Sequence, residues 1–322
     1  MRTYVLRRLL QTIPLLLGIS LITFLLLQLA PGDFLNQMAE NPGISAETIE
    51  AMRVRFGLDK PWYVQYAIYL RNVIFYFDFG QSFARHQPVF EVLSDGFTNT
   101  LMLAGAAAFI TWALAIPLGV LAAVKQHSWI DRTLSFVAFI WLSIPEILAA
   151  LLLLMMAART GWFPVGGMRS LDYDELDGIS QFFDILHHLA LPALVVGLIP
   201  LASRMRQMRG SLLDVLRLDY VTTARAKGLS ERKVIVKHAL RNALNPMITL
   251  FGYTLGALVS GSFIVEIIFS WPGLGRITLD AILTQDQYLV MGAVLMASLV
   301  LIVGNLIADL LLAVADPRIS YD

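Results

Sequence analysis

Uncharged runs divide the chain into blocks as long as a bilayer is thick. Residues 9–30 (LLQTIPLLLGISLITFLLLQLA) carry no charge and hold fourteen Leu, Ile or Phe. These favour membrane insertion by roughly 4–8 kcal/mol, at about 0.3–0.6 kcal/mol each. Similar blocks lie at 101–124, 133–158, 189–208, 246–268 and 288–314, each near or above the roughly 20 residues that an α-helix needs to cross about 30 Å of hydrocarbon. Six spanning helices are predicted. Arg2, Arg7 and Arg8 precede the first as they would in a secretory leader, but leader cores run to about 15 residues and no A-x-A-like site follows, so the helix is expected to be retained. The fourth block contains Pro192 and Pro200 and ends at Arg204 and Arg206; a kinked helix is expected, with neighbours satisfying the freed carbonyls.

The polar segment 31–97 is too long for a simple connector. Within it, SAETIEAMRVRF (45–56) reads as a helix with Ser45 as N-cap and Gly57 just past its end, and PWYVQYAIYLRNVIF (61–75) as a second helix opened by Pro61. A small external helical subdomain is expected there, packed on the membrane helices, and it is also open to an external partner.

Composition agrees with the pattern. The 322 residues are 57% hydrophobic and only 15% charged, with a mean hydropathy of +0.68. Soluble domains run at about 45–50% apolar and 25% charged, so a disordered chain, a coiled coil and an ordinary soluble enzyme are excluded. Cysteine is absent, which excludes disulfides, thiolate metal sites and cysteine nucleophiles.

The 24 basic and 24 acidic residues cancel, but the cancellation hides an asymmetry. If the N-terminus is cytoplasmic, that side holds sixteen Lys and Arg against six acids, and the other side holds eight against fifteen. Glu146, Glu266 and Asp309 lie at or within spans. The faces carry +10 and −7, and the excess of Lys and Arg fixes the orientation as N-in, C-in.

The sequence lacks a G-x-x-x-x-G-K-[ST] phosphate loop, H-E-x-x-H and G-x-S-x-G, and Gly273-Leu274-Gly275 is not a dinucleotide fingerprint. His187-His188 point about 100° apart on a helix with no second ligand pair nearby, so they read as histidines at the outer membrane edge and no metal is expected. Among the intramembrane acids, Glu146 in Ser143-Ile144-Pro145-Glu146 is the deepest; such residues face a bundle interior or an aqueous cavity, which makes Ser143, Pro145 and Glu146 candidates for the lining of a pathway.

The inner loop 203–245 carries +7, from ten basic and three acidic residues. Leu213, Leu216, Tyr220 and Ala224 share one helical face and Gly228 ends that helix; Ser230 then opens a second one whose Lys233, Lys237 and Arg241 stack at i, i+4 and i+8. Like charges so placed repel, and an anionic lipid surface or an acidic protein surface would relieve the repulsion. Helix, glycine break and helix form a compact knob, a shape suited to a partner's groove.

Within the loop, Asp219-Tyr220-Val221-Thr222-Thr223-Ala224-Arg225-Ala226-Lys227-Gly228-Leu229, followed by His238-Ala239-Leu240-Arg241-Asn242-Ala243-Leu244 and Pro246, resembles the E-A-A-x-x-x-G coupling loop of ABC-importer permeases in its dipeptide, oligopeptide and nickel form. The similarity extends over nearly the whole chain: Tyr4 through Leu10 with Leu29-Ala30-Pro31-Gly32-Asp33, Gly57-Leu58-Asp59-Lys60-Pro61 with Gln65-Tyr66, Phe79-Gly80-Gln81-Ser82 with Pro88-Val89, Thr98-Asn99-Thr100-Leu101, Ser143-Ile144-Pro145, Glu266 with Phe269-Ser270-Trp271-Pro272-Gly273-Leu274-Gly275, and Asp316-Pro317-Arg318. The sequence departs from the family where Thr222 and Thr223 replace the Glu and first Ala of the general motif, where His238-Ala239-Leu240-Arg241 replaces I-x-L-P, and where Phe77-Asp78-Phe79-Gly80 replaces Gly-Asp-Phe-Gly.

The resemblance implies an all-α integral membrane protein with a type I ABC-importer permease fold and an external helical insertion after the first helix. Residues 1–30 would form the N-terminal transmembrane helix, 31–97 the external segment, 98–314 the permease core with its coupling loop 203–245, and 315–322 a cytoplasmic tail. It implies a non-catalytic first membrane subunit in a bacterial or archaeal cell membrane, which binds lipid but no nucleic acid. The implied partners are a second homologous permease, two cytoplasmic ATPases that carry the ATP and Mg, and an extracytoplasmic substrate-binding protein. Asp219, Thr222, Thr223, Ala224, Ala226, Gly228, Leu229, Ser230, Lys233, Lys237 and Arg241 would form the ATPase-coupling loop, and Glu266, Trp271, Pro272 and Gly273 part of a platform for the binding protein. Peptide is the broadest cargo class, with nickel chelates, glutathione and oligosaccharides as alternatives. The rival classes are a secondary transporter or channel, which leaves the basic knob unexplained, and a membrane scaffold or assembly factor, which predicts no substrate stimulation of any associated ATPase.

Overall fold

The computed structural model describes residues 2–30, 32, 34–39, 45–55, 57–248, 250–251 and 262–315. In chain order the helices are α1 (Arg2–Leu29), α2 (Phe34–Ala39), α3 (Ala46–Arg55), α4 (Trp62–Tyr76), α5 (Val89–Val124), α6 (Trp129–Ser143), α7 (Glu146–Thr160), α8 (Gly178–Leu216), α9 (Asp219–Ala226), α10 (Glu231–Lys233), a π-helical turn (Val234–Ala239), α11 (Leu240–Ala243), α12 (Phe263–Ile268), α13 (Leu274–Leu283) and α14 (Gln287–Ala315). Residues 249 and 252–261 of the fifth predicted span, the residues Pro31, Asp33 and Asp316-Pro317-Arg318, and the side chains of Tyr4 and Asp309 lie outside the described residues.

Among the described residues, Leu10–Leu29, α5, α8 and Gln287–Gly304 are each long and apolar enough to cross a membrane. The third predicted span is not one straight helix. It breaks into α6 and α7, bent by 104°, because Pro145 has no N–H to donate and disfavours helical geometry at the preceding residue. Ile144 accordingly turns extended, at ψ 122°. The fourth span runs unbroken through Pro192 and Pro200 as part of the 39-residue α8, which at 1.5 Å per residue is about 58 Å long and outruns the hydrocarbon.

The chain divides into two compact units. Unit 1 comprises Met1–Thr100 and Pro272–Ile302, and unit 2 comprises Leu101–Trp271 and Val303–Asp322.

In unit 1, α3 and α4 form where the caps predict. The Ser45 hydroxyl accepts from the Thr48 N–H at 3.2 Å, Gly57 takes φ +70°, and Pro61 precedes α4. Phe24, Tyr69 and Met291 bury together, and the Ser20 and Tyr66 hydroxyls bond at 2.8 Å. A second core joins Val89, Val92 and Leu93 to Leu274, Ile277, Leu289 and Val290. Gly292 permits that approach, since a Cβ there would lie 2.6 Å from Val89 Cγ1.

Asp286 is fully buried. Its carboxylate accepts from Ser82 Oγ at 2.6 Å and from the N–H groups of Ala84 and Leu289 at 3.1 and 3.2 Å, so it caps α14 and anchors the 79–82 loop. Asp286→Ala removes the cap and strands these donors. It is expected to lower stability by about 2 kcal/mol, read as a fall in the midpoint of thermal unfolding in detergent.

In unit 2, Leu103, Ala107, Ala149, Ala150, Leu191, Val195, Val265, Phe269 and Trp271 form the core. Small residues bring α5 and α8 together: a Cβ on Gly197 would lie 3.0 Å from the Ala107 carbonyl and one on Gly119 would lie 2.6 Å from Met208 Cβ. The Thr111 hydroxyl donates to the Gly197 carbonyl at 3.0 Å.

Candidate functional site

The loop 203–245 folds as a helical knob on the end of α8. Its centre is apolar: Met208, Leu212, Val221, Ala224, Val234, Ala239, Ala243 and Met247 are buried together with Ala123 from α5. The helix expected to run from Leu213 to Gly228 is divided, because α8 stops at Leu216 and Leu218, at ψ 146°, starts α9 in a new direction. Val221 and Ala224 can then turn inward against the end of α8.

Gly228 takes φ +78° and its N–H donates to the Arg225 carbonyl at 2.9 Å, the left-handed closure that glycine adopts without steric penalty. Ser230 occupies the N-cap position of α10, but its side chain makes no capping bond; only its carbonyl accepts, from Lys233 and Val234 at 2.8 and 3.0 Å. Arg225 bridges the two arms through bonds of 2.7 and 3.2 Å to Glu231. Those bonds hold the Glu231 carboxyl below the usual carboxylate range. This contribution is present above the unfolded carboxylate pKa and fades as pH falls through the lower folded value; the exposure of both side chains keeps it small. Asn242 donates to the Tyr220 hydroxyl at 2.7 Å, closing the base of the knob.

The outward surface consists of Thr222, Thr223, Ala226, Lys227, Gly228, Leu229, Ser230, Lys233, Lys237 and Arg241, all exposed. Asp219 begins α9 and its carbonyl accepts from the Thr223 hydroxyl at 2.9 Å. The stripe Lys233, Lys237, Arg241 crosses the π-helical turn Val234–Ala239, whose i to i+5 bonding widens one turn, so it is not the straight α-helical row that the spacing suggests. Ala224 is buried, at 7% exposure. The part it can play in docking is to seat α9 so that its neighbours face outward.

The other candidates separate. Ser143 and Pro145 are exposed and Glu146 is half-buried, all at the α6–α7 bend. Glu266 and Trp271 are fully buried in unit 2, with the Ser262 hydroxyl donating to Glu266 at 2.8 Å; burial leaves them no surface to offer and makes them supports for the turn. In unit 1, Asn99 donates to the Pro272 carbonyl at 2.9 Å, and the Thr100 hydroxyl accepts the N–H of Leu274, just after Gly273, at 2.8 Å. The quoted Thr98-Asn99-Thr100 and Pro272-Gly273-Leu274 motifs are therefore one hydrogen-bonded device. His187 donates to the Trp162 carbonyl at 2.8 Å and His188 to the Asp184 carbonyl at 2.9 Å.

Sequence reasoning missed a latch beneath the knob. Arg209 donates to Asp131 through two bonds of 2.6 and 2.7 Å, and Asp131 also accepts from the His127 N–H at 2.9 Å. The Asp131 side chain is 5% exposed. A signal was present: Ser128 followed three residues later by an acid, directly before an apolar run, is a helix start.

Residues 115–321 match the family model described as binding-protein-dependent transport system inner membrane component, and residues 1–104 match the corresponding N-terminal model. The chain is 41% identical over 323 residues to the oligopeptide transport system permease protein AppB of Bacillus subtilis (strain 168), covering 100% of both chains. It is 40% identical over 338 residues to the dipeptide transport system permease protein DppB of Escherichia coli (strain K12), covering 100% of this chain and 99% of that one. A chain of the MetNI methionine ABC transporter in an inward-facing conformation superimposes with a TM-score of 0.50 at 21% identity, covering 69% of this chain and 97% of its own; the likeness is one of fold.

Proposed function

We propose a role for this chain from one premise: it belongs to the family of binding-protein-dependent transport system inner membrane components. It is a permease subunit of an ABC importer and works in the membrane with other transporter components. The finer reading is that it forms half of a translocation pathway for peptides, pairs with a second homologous permease, receives cargo from an extracytoplasmic binding protein, and is driven by two cytoplasmic ATPases that hold ATP and Mg.

The observation that carries this reading is the knob. Its apolar residues are turned inward, while a glycine tip and a basic face are left outward, the arrangement of a rigid element to be gripped rather than a loop lying on lipid. Closure of the ATPases on the knob would move the end of α8, and α8 runs directly back into the membrane. The subunit contributes no chemistry of its own; it can shift between states only as far as its partners prefer one of them. Peptide is favoured as cargo because AppB and DppB are named for oligopeptide and dipeptide transport.

The test is reconstitution of this chain with its second permease, ATPases and binding protein in vesicles. Peptide uptake is expected only with ATP and binding protein present. Uptake by this chain alone in ATP-free vesicles would overturn the reading in favour of a secondary transporter. Ligand screening of the binding protein then identifies the cargo.

A further inference from the structure

We propose that the cleft between α6 and the inner end of α8 is a binding site for the headgroup of a monoanionic phospholipid. The cleft has a volume of about 510 Å³ and is lined by Ser135, Phe139 and Leu142 from α6 and by Ser203, Arg206, Gln207 and Arg209 from α8.

Its charge selects the ligand. Arg209 is neutralised by its two bonds to Asp131. Arg206 is exposed and its guanidinium lies 4.2 Å from the Phe139 ring centroid, a cation–π contact that orients the group without cancelling its charge. Of the side chains that line the cleft, Arg206 therefore supplies the one uncompensated positive charge, with the Ser203 hydroxyl and the Gln207 amide beside it as neutral donors; Arg204, outside the lining, donates to the Gln207 side-chain carbonyl at 3.3 Å. A phosphodiester presents one negative charge and two acceptor oxygens, which a guanidinium fork and flanking donors match. A headgroup that also carries an ammonium would bring a like charge to Arg206.

Position and shape point to a lipid. In the N-in orientation the cleft lies at the inner end of the fourth span, where basic pockets between membrane helices bind anionic headgroups. Level with the cleft, α6 presents an apolar surface, with Phe136 65%, Phe139 51% and Ile140 42% exposed, along which acyl chains can lie. This inference rests on the membrane orientation and not on the cargo, so the failure of peptide uptake would leave it standing.

The experiment is to hold the full transporter in nanodiscs of phosphatidylglycerol and phosphatidylcholine and to count retained lipid by native mass spectrometry. The wild type is expected to retain phosphatidylglycerol with an affinity about fivefold higher than Arg206→Gln, the effect of one cation at a membrane surface, with phosphatidylcholine unchanged and Arg206→Lys restoring most of the difference. Arg206 is exposed, so the variant keeps its fold, which assembly with the second permease verifies. Equal phosphatidylglycerol retention in the wild type and Arg206→Gln overturns the proposal. So does separation of the two permeases by that substitution, which would make the cleft a protein interface, or displacement of the lipid by saturating peptide, which would make it a substrate site.

Discussion

Gly228→Arg is expected to lower uptake and substrate-stimulated ATP hydrolysis by about 30-fold or more while the subunit still assembles in the membrane. Gly228 is exposed at φ +78°, and a Cβ added there meets no atom within 4 Å. The substitution therefore creates no clash inside the chain and strains the backbone by about 1–2 kcal/mol, too little to unfold a knob closed around a buried apolar centre. What changes is the outward face: a long cation projects from the tip between the two arms, where the ATPase would dock. Loss of a docking hot spot of about 2 kcal/mol corresponds to a fall of about 30-fold or more in coupled uptake. Gly228→Ala separates the two effects, since it carries the same backbone strain but adds one methyl group to open space, and it is expected to keep most of the activity. Uptake and ATPase stimulation by reconstituted Gly228→Arg at the wild-type level would sink the assignment of the knob.

Arg209→Met is expected to destabilise the subunit by about 3 kcal/mol and to loosen the knob. The variant removes both 2.6–2.7 Å bonds and leaves the Asp131 carboxylate, 5% exposed, with only the His127 N–H and a long contact from Ser135. Breaking a buried pair from one side costs about 3–5 kcal/mol because a charge is left desolvated, and the 26% exposure of Arg209 places this pair at the lower end. Replacing both residues, as Asp131→Ala with Arg209→Met, removes the stranded charge and should recover most of the loss. Thermal unfolding of the four proteins of the cycle in detergent gives the coupling directly. A loss below about 1 kcal/mol for Arg209→Met would show that the pair is a surface contact and not a latch.

The helix ends that depend on one residue's local chemistry were legible in the sequence: Ser45, Gly57 and Pro61 mark the boundaries of α3 and α4, and Gly228 closes the loop after α9. The break at Pro145 was also written there, but the length of the apolar block 133–158 argued for one span, and the backbone restriction imposed by proline won over that pattern. The division at Arg217 and Leu218 was not legible, because the apolar spacing through Leu213, Leu216, Tyr220 and Ala224 continues across it. Packing of Val221 and Ala224 onto Met208 and Leu212 overrides that periodicity.

By itself the sequence determined the membrane blocks, the segregation of basic from acidic residues between alternate loops, the basic loop and the family resemblance. Each is a property of composition or of neighbouring residues, and transfer free energy and charge bias act on segments one at a time. Only the tertiary structure decided that Asp131 meets Arg209 78 residues on, that Asn99 holds the Pro272 carbonyl across 173 residues, and that Ser82 reaches Asp286 across 204. It also decided that Ala224, Glu266 and Trp271 lie inside while Thr222, Lys227 and Gly228 face out. Burial and long-range pairing depend on which helices come together and at what rotation, and local periodicity leaves that choice open.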